Sequence, residues 1–317
     1  MKNALLAIFL ILLLQPLFNH SYSGQVYLDQ IKEVKFSTEP FDIVLHDNIA
    51  YVLSSGSLYS LTTSDPYNLT STEIKPVSGA GSIAFIGHFC YTLYSDGVIV
   101  VYDFSKNPVA KKTQINTNGR IKKIVIDNGY LYAINEDAGM QVYDVNIADF
   151  PVYKSTQAIP FNANGIFVAN SKAYISSSSG HLSIISVADK SSLQIVGSYS
   201  SGTSFFEPYV DGNTAYIPQG STGVQVLDIS KLPNPKWEFN LFGRKNSHQV
   251  VASNFYVWVA DDKSIEGFYN DAPASYYFAG NHKFSEKINR IAVIDGKYIY
   301  VTSKDKKVKI LKIDYKY

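Results

Sequence analysis

The chain has 317 residues, and its 28 basic and 27 acidic side chains give a formal net charge of +1. Because the two charges are nearly balanced, the chain has no general basic field, which argues against nucleic acid or an anionic membrane surface as a partner held by bulk electrostatics. Aromatic residues make up 14% of the chain, with 24 Tyr but only 2 Met, and this composition favours strands over helices.

The first residues have the layout of a secretory signal peptide. Lys2 precedes an uncharged run over 4–18, and the small residues Ser21 and Ser23 follow it. The run is shorter than the roughly 20 apolar residues that a membrane-spanning helix needs, so an uncleaved anchor is the weaker alternative. We predict cleavage after Ser23, with residues 1–23 removed and the protein secreted, periplasmic or on the cell surface, without stable membrane insertion.

Two residue-level signals have simple interpretations. Cys90 is the only cysteine and lies in the strand-like run FCYTLY, so it cannot pair within the chain and is expected to be a buried small hydrophobe. Asn68 begins the sequence NLT, which is a glycosylation acceptor only in a host that glycosylates such proteins.

Seven strand-like runs each contain one aromatic residue and recur at a nearly constant interval of 40 to 42 residues. These seven aromatic residues, called the anchors below, are Tyr51, Tyr91, Tyr132, Tyr174, Tyr216, Trp258 and Tyr300. The 317 residues less the predicted 23 leave 294, which is seven times 42. The repeat therefore predicts a single domain over residues 24–317.

Each repeat carries turn signals at fixed distances from its anchor. Four residues before the anchor stands a residue that tolerates the positive φ of a tight hairpin turn: Asp47, Gly87, Asn128, Asn170, Gly212, Asn254 or Gly296. Twelve residues after the anchor, six repeats have a short polar residue that can bond the backbone two residues on: Thr63, Asp103, Asp144, Ser186, Asp228 or Asn270. These turns divide each repeat into four strands.

A repeat of about 40–45 residues with four antiparallel strands is typical of a β-propeller blade. The last repeat ends after three strands, whereas residues 26–36 form a strand-like segment before the first repeat. We therefore predict an all-β, seven-bladed antiparallel β-propeller. In this prediction the N-terminal strand completes the last blade and closes the ring, which leaves no open sheet edge.

The repeats resemble the LVIVD repeat of exported propeller-like proteins of bacteria and archaea. The resemblance rests on a Gly, an alternating hydrophobic strand, an Asp and a turn of Ser, Asn and Pro, as in GVIVVYDFSKNP (97–108), GMQVYDVNIADFP (139–151) and GVQVLDISKLPNP (223–235). The segments GSLYSLTTSDP and SIEGFYNDAP depart from this pattern. The resemblance implies an interaction role for a secreted or cell-surface protein, and it carries no catalytic motif.

No local catalytic motif occurs in the sequence, which lacks H-E-x-x-H, G-x-S-x-G, the phosphate-binding P-loop and paired-cysteine metal spacing. The serine run over 176–179 is expected to be a solvated loop, because no base is positioned to activate a nucleophile. Four histidines share no metal-ligand spacing, namely His46, His88, His181 and His282.

Any ligand or partner site is predicted to lie at the mouth of the central channel, where the first strands begin and each repeat contributes one residue, because concave pockets with convergent polar groups are the default binding sites. Counting nine or ten residues back from each anchor gives Asp42, Ser82, Lys123, Asn164, Glu207, His248 and Arg290. Further out, the loops between second and third strands add Asn135, Glu136, Asp137, Asp261 and Asp262. A solvated rim without a ligand is the alternative interpretation of these residues.

Two function classes follow from this pattern. A non-catalytic binding or interaction scaffold is favoured, with Lys123 and Arg290 holding an anionic group. The alternative is an extracytoplasmic hydrolase or lyase, with His248 as its acid–base group and with Asp42, Glu207 and His248 as candidate metal ligands. The sequence does not identify a cofactor, nor whether the ligand is a protein, a small molecule or a carbohydrate.

Overall fold

The computed structural model describes residues 24–316 except 75, 76, 78, 118, 136–138, 242–245, 273 and 274. The predicted signal peptide therefore lies outside the described residues. The described chain forms seven four-stranded antiparallel sheets. Within it, no helix is long and apolar enough to cross a lipid bilayer.

Each sheet is one blade. Blade 1 contains β2 (Pro40–His46), β3 (Ile49–Ser54), β4 (Ser57–Thr62) and β5 (Ser71–Glu73), and blade 2 contains β6 (Ala80–Ile86), β7 (Phe89–Tyr94), β8 (Val98–Asp103) and β9 (Ala110–Asn116). Blade 3 contains β10 (Ile121–Asp127), β11 (Tyr130–Asn135), β12 (Gly139–Asp144) and β13 (Val152–Gln157), and blade 4 contains β14 (Ala163–Ala169), β15 (Lys172–Ser177), β16 (His181–Ser186) and β17 (Gln194–Ser200). Blade 5 contains β18 (Tyr209–Asp211), β19 (Thr214–Pro218), β20 (Val224–Asp228) and β21 (Lys236–Leu241), and blade 6 contains β22 (Gln249–Ser253), β23 (Tyr256–Ala260), β24 (Ser264–Ala272) and β25 (Ser275–Lys283). Blade 7 contains β26 (Ile288–Ile294), β27 (Tyr298–Ser303), β28 (Lys307–Tyr315) and β1 (Val26–Lys35).

The first strands of the blades surround a central axis. Each contacts the first strand of the next blade, in the order β2, β6, β10, β14, β18, β22, β26 and back to β2. The second, third and fourth strands therefore lie progressively further out. This arrangement is a seven-bladed antiparallel β-propeller, and the prediction of fold and blade number is confirmed.

The anchors form the cores between the blades. All seven lie in the second strand of their blade, and none exposes more than 7% of its surface. Each belongs to a different hydrophobic cluster, and each cluster joins residues of two neighbouring blades. Tyr132 of blade 3, for example, packs with Ile166 and Ile175 of blade 4. The anchors recur because every junction between blades needs a large apolar side chain at this place.

The predicted hairpin turns are confirmed. The seven residues four positions before the anchors all have positive φ, between 47° and 61°. In four blades the next residue also has positive φ: Asn48, Gly129, Ser171 and Phe255. Two consecutive residues with positive φ make type I′ turns, whose twist matches that of antiparallel strands.

The repeated Asp after the third strand has the predicted turn role. β8, β12 and β20 end at Asp103, Asp144 and Asp228. In each case a side-chain oxygen accepts the backbone N–H two residues on, at 2.9, 3.1 and 2.8 Å. The hydrogen bonds from the side chain and backbone of Ser230 lower the pKa of Asp228 below its usual value. These carboxylates are explained by local structure.

The seventh sheet contains both ends of the described chain. β1 pairs antiparallel with β28, from Val26 opposite Tyr315 to Lys35 opposite Lys307. Val26 and Leu28 belong to the hydrophobic cluster between blades 6 and 7. Phe36, just after the strand, belongs to the cluster between blades 7 and 1. β1 therefore contributes to both faces of its blade.

Two sequence interpretations concern buried groups. Cys90 is fully buried as predicted, and burial raises the pKa of its thiol to about 12. The serine run is the expected solvated turn only in its second half, since Ser178 and Ser179 are exposed in the turn after β15. Ser176 and Ser177 belong to β15 and are buried, because they lie on the second strand of the blade rather than in a loop.

Candidate functional site

In five of the seven blades, a β-bulge near the start of the first strand determines which side chain faces the channel. The register shifts near the start of β2, β6, β10, β14 and β26, which leaves one residue unpaired in each strand. Bulges re-aim the side chains next to them. In each of these strands, the residue just after the bulge pairs with the residue two positions beyond the anchor. These equivalent residues are Asp42, Ser82, Lys123, Gly165 and Arg290.

The seven predicted residues line two cavities. A channel cavity of about 480 Å³ extends along the first strands, and its lining includes Asp42, Ser82, Lys123, Glu207 and Arg290. A smaller mouth cavity of about 240 Å³ is lined by Asn164, Phe206, Glu207, His248, Asn289 and Arg290. Glu207 and Arg290 border both cavities, so they lie between the mouth cavity and the channel cavity.

An ion network connects four blades across this point. The carboxylate of Glu207 from blade 5 accepts a hydrogen bond from Nζ of Lys123 in blade 3. Its Oε2 also lies 3.0 Å from Nη2 of Arg290 in blade 7. Nε of Arg290 is 3.8 Å from Oδ1 of Asp42 in blade 1. The predicted anion site between Lys123 and Arg290 thus holds a carboxylate of the protein itself.

The charges stabilise one another at neutral pH. Burial alone would raise the pKa of Glu207, but the positive charges of Lys123 and Arg290 outweigh it and hold that pKa below its usual value. For Arg290, burial would lower the pKa, and the charges of Glu207 and Asp42 raise it instead. Two acids and two bases therefore form a charge-balanced unit.

His248 lies beside this network, one residue before β22. Its Nδ1 is 3.4 Å from the carbonyl oxygen of Asn246, and its Nε2 is buried without a hydrogen bond to the described residues. Burial is the main cause that lowers the pKa of His248; the carbonyl of Asn246 partly opposes it, and the charge of Arg290 adds to it. The imidazole is therefore neutral at pH 7.

The predicted metal ligands do not form a metal site. Asp42 and Glu207 both interact with Arg290, whereas His248 lines only the mouth cavity. Among the described residues, no group of three or more His, Cys, Asp and Glu side chains is arranged to hold a metal ion. The spacing of residues within a repeat could not show that Arg290 occupies these carboxylates, because Arg290 comes from a different blade.

The predicted loop residues have other contacts. Asn135 and Asp261 are buried, and Asp261 accepts a hydrogen bond of 2.6 Å from Oγ of Ser247. Asp262 lies 2.8 Å from Nζ of Lys287. Glu136 and Asp137 lie outside the described residues.

Counting back from the anchors did not find the equivalent first-strand position in every blade. Asn164 is the unpaired bulge residue of β14, and Gly165 holds the position equivalent to Asp42. In blade 6 the equivalent residue is Gln249, opposite Ala260. Gln249 lies nine residues before its anchor, so a strict count of nine would have found it. The same count fails in blade 7, where Arg290 is ten residues before its anchor.

Similar folds are found among solved structures. The computationally designed Ika8 protein matches with a TM-score of 0.68 and 10% identity, over 89% of this chain and 99% of the designed one. The WD40 β-propeller domain of Doa1 matches with a TM-score of 0.69 and 11% identity, over 90% of this chain and 97% of that domain. The shared fold is the β-propeller. No family model and no curated protein matches the sequence.

Proposed function

We propose that this protein is a non-catalytic binding scaffold outside the cytoplasm, and that its ligand contacts the mouth of the central channel. One observation carries the proposal: the charged network of Asp42, Lys123, Glu207 and Arg290 joins four blades at the boundary of the mouth and channel cavities. Groups held by rigid strands and by each other give a fixed polar surface, which suits recognition.

The pairing of the charges favours binding over chemistry at this site. A metal-dependent hydrolase needs carboxylates free to bind the ion, whereas Arg290 contacts both Asp42 and Glu207. Asn164 and His248 offer neutral polar contacts at the mouth cavity. This combination supports a ligand that is recognised by shape and by several hydrogen bonds.

Export belongs to the same proposal. It is supported by the basic, apolar and small-residue layout over 1–23 and by the resemblance of the repeats to the LVIVD type. Mass spectrometry of protein secreted by an expressing cell tests it, because cleavage after Ser23 gives a chain that begins at Gly24. Retention of residues 1–23 in the exported protein would contradict the predicted cleavage.

A thermal-shift screen tests the site. The mature chain is mixed with carboxylates, uronic acids, neutral sugars and short peptides, and any stabilising compound is then tested on Arg290→Ala, Glu207→Gln and His248→Ala. We expect these variants, if folded, to lose the stabilisation, whereas Lys287→Ala, which breaks a more exposed ion pair with Asp262 of blade 6, keeps it. Loss of binding only in a variant of the opposite face, such as Lys297→Ala, would place the site elsewhere.

Metal analysis separates the two function classes. A stoichiometric, tightly bound divalent ion in the purified protein would contradict the proposal and favour the hydrolase or lyase alternative.

A further inference from the structure

A third cavity lies between blades 5 and 6, at the end of the blades opposite the channel mouth. Its volume is about 630 Å³, within the range of small-molecule sites. It borders the hairpin turns after β18 and β22, which lie at the opposite end of the first strands from the mouth. Its side-chain lining includes Asp211, Tyr216, Asp228, Glu238, Phe239, Phe255 and Tyr276. We call this cavity the blade 5–6 groove.

The sequence leaves room at this junction. On the first strand of every blade, one residue pairs with the residue that immediately precedes the anchor. In blades 1 to 7 this first-strand residue is Leu45, Phe85, Ile126, Val168, Val210, Ala252 and Val293. In the junction between blades 1 and 2, Phe85 covers the anchor Tyr51, with ring centroids 4.3 Å apart. The corresponding residue beside Tyr216 is Ala252, the smallest of the seven. Tyr216 lines the groove.

Phe255 is an unusual residue for its position. It lies three residues before its anchor, in the turn after β22, where the other repeats have Asn48, His88, Gly129, Ser171, Asn213 and Lys297. It has φ of 63° and is 76% exposed. A bulky apolar residue is disfavoured both in the left-handed region and in water. Folding alone therefore does not explain Phe255, and its ring borders the groove.

Acidic and aromatic side chains converge on the groove. Asp211, Asp228 and Glu238 line it, and its described lining contains no Lys, Arg or His. Nζ of Lys236 is 3.0 Å from Oε1 of Glu238, and its charge also acts on Asp228, but the side chain of Lys236 is 74% exposed. Lys231 lies close enough to act on the pKa of Asp228. Neither lysine lines the cavity, so the charged side chains that border it are three carboxylates.

The aromatic rings form a connected wall. Tyr276 of blade 6 lies 5.1 Å from Phe239 of blade 5, between ring centroids. Its hydroxyl is 2.7 Å from that of Tyr216, and the two rings meet edge to face at 6.2 Å. Aromatic faces next to carboxylates attract cations that carry apolar groups. We propose that the blade 5–6 groove binds a small organic cation, an alkylammonium group with an apolar body.

Calorimetry with choline tests the proposal against an uncharged molecule of the same shape. Choline is titrated into the mature protein, and 3,3-dimethylbutan-1-ol, in which carbon replaces nitrogen, is titrated in parallel. We expect choline to bind at least tenfold more tightly than the alcohol, because only the cation interacts with the carboxylates and the ring faces. Equal affinities, or no choline binding at tens of millimolar, would overturn the proposal.

Matched variants locate the binding. Phe255→Ala and Asp211→Asn should each weaken choline binding about tenfold, whereas Phe150→Ala, which removes a ring that is 68% exposed elsewhere, should not. Lys287→Ala, which breaks an ion pair with Asp262 and does not border the groove, should also bind choline like the parent. Unchanged affinity in Phe255→Ala would refute the assignment. Binding of N-acetyl-lysine amide without binding of choline would assign the groove to a partner's basic side chain instead, and would overturn the small-ligand proposal.

Discussion

Glu207 is the residue on which the channel network depends, since its carboxylate contacts both Lys123 and Arg290. The side chains of all three are between 19% and 24% exposed, so the charges are largely removed from water. Loss of one partner then leaves the others uncompensated.

Glu207→Ala should destabilise the protein by about 3 kcal/mol, the lower end of the range for removing one partner of a buried pair. Because the vacated place is bordered by two cations, added formate should raise the midpoint of thermal unfolding of this variant above that in equal chloride. Glu33→Ala breaks a more exposed pair with Lys307 and should show no such rescue. Identical behaviour of the two variants in formate would contradict the role of the network.

His248 should make folding depend on pH. Its pKa is lowered in the folded protein, so the unfolded chain binds the proton more readily. The stability that depends on the neutral ring is complete above the ordinary histidine pKa of about 6.5 and is lost as the pH falls through the lower folded value.

His248→Gln should therefore lose less stability than the parent when the pH falls from 7.5 to 5.5, measured by denaturant unfolding. Asn164→Ala removes a polar group at the same mouth cavity but no titratable group, and should keep the parental dependence. A parental slope in His248→Gln would show that the imidazole is not responsible.

The residue opposite each anchor on the third strand matches the size of the anchor side chain. Six anchors are Tyr, and the residue opposite them on the third strand is Ser60, Val101, Val142, Ile184, Val226 or Ile310. Trp258 is the exception, and it lies opposite Gly267. A Cβ at Gly267 would lie 2.7 Å from the Trp258 ring, so the larger indole takes the space of the missing side chain.

Gly267→Val should cost about 1–3 kcal/mol, the usual effect of overpacking a core. Trp258→Tyr in the same chain should restore part of that loss, because it recreates the Tyr and Val pair of blades 2, 3 and 5. Denaturant unfolding of the two single variants and the double variant gives the coupling energy. Additive losses would show that the two positions do not compensate each other.

At the scale of the whole molecule, the seventh blade combines the two ends of the described chain. β1 supplies its outer strand, and Val26, Leu28 and Phe36 add buried apolar surface on both sides of the blade. β28 would otherwise have a free edge, which is prone to pair with other chains.

Deletion of residues 26–36 should therefore lower the unfolding temperature of the whole domain and promote association. The unfolding temperature falls because β28 loses its paired strand and because the two hydrophobic clusters beside blade 7 become exposed to water. Asp29→Asn with Gln30→Ser, at two exposed positions of β1, is the control and should leave the midpoint unchanged. An unchanged midpoint after the deletion would mean that the N-terminal strand does not stabilise the ring.

The local features of this protein were determined by its sequence. Positive φ at Asn128 and Asn170, the turn at Asp228 and the burial of Tyr132 all depend on residues within one repeat. Such features follow from side-chain chemistry at short range. Seven copies at a nearly constant interval were enough to predict the fold and the number of blades.

Contacts between blades were decided only by the tertiary structure. Lys123 and Glu207 are 84 residues apart, and no local pattern shows that they meet. A bulge moves Asn164 out of the ladder, and the longer turn of blade 7 shifts Arg290 by one residue relative to its anchor. The blade 5–6 groove likewise depends on two blades together. A repeat places each side chain within its blade, but the ring decides which side chains from different blades face one another.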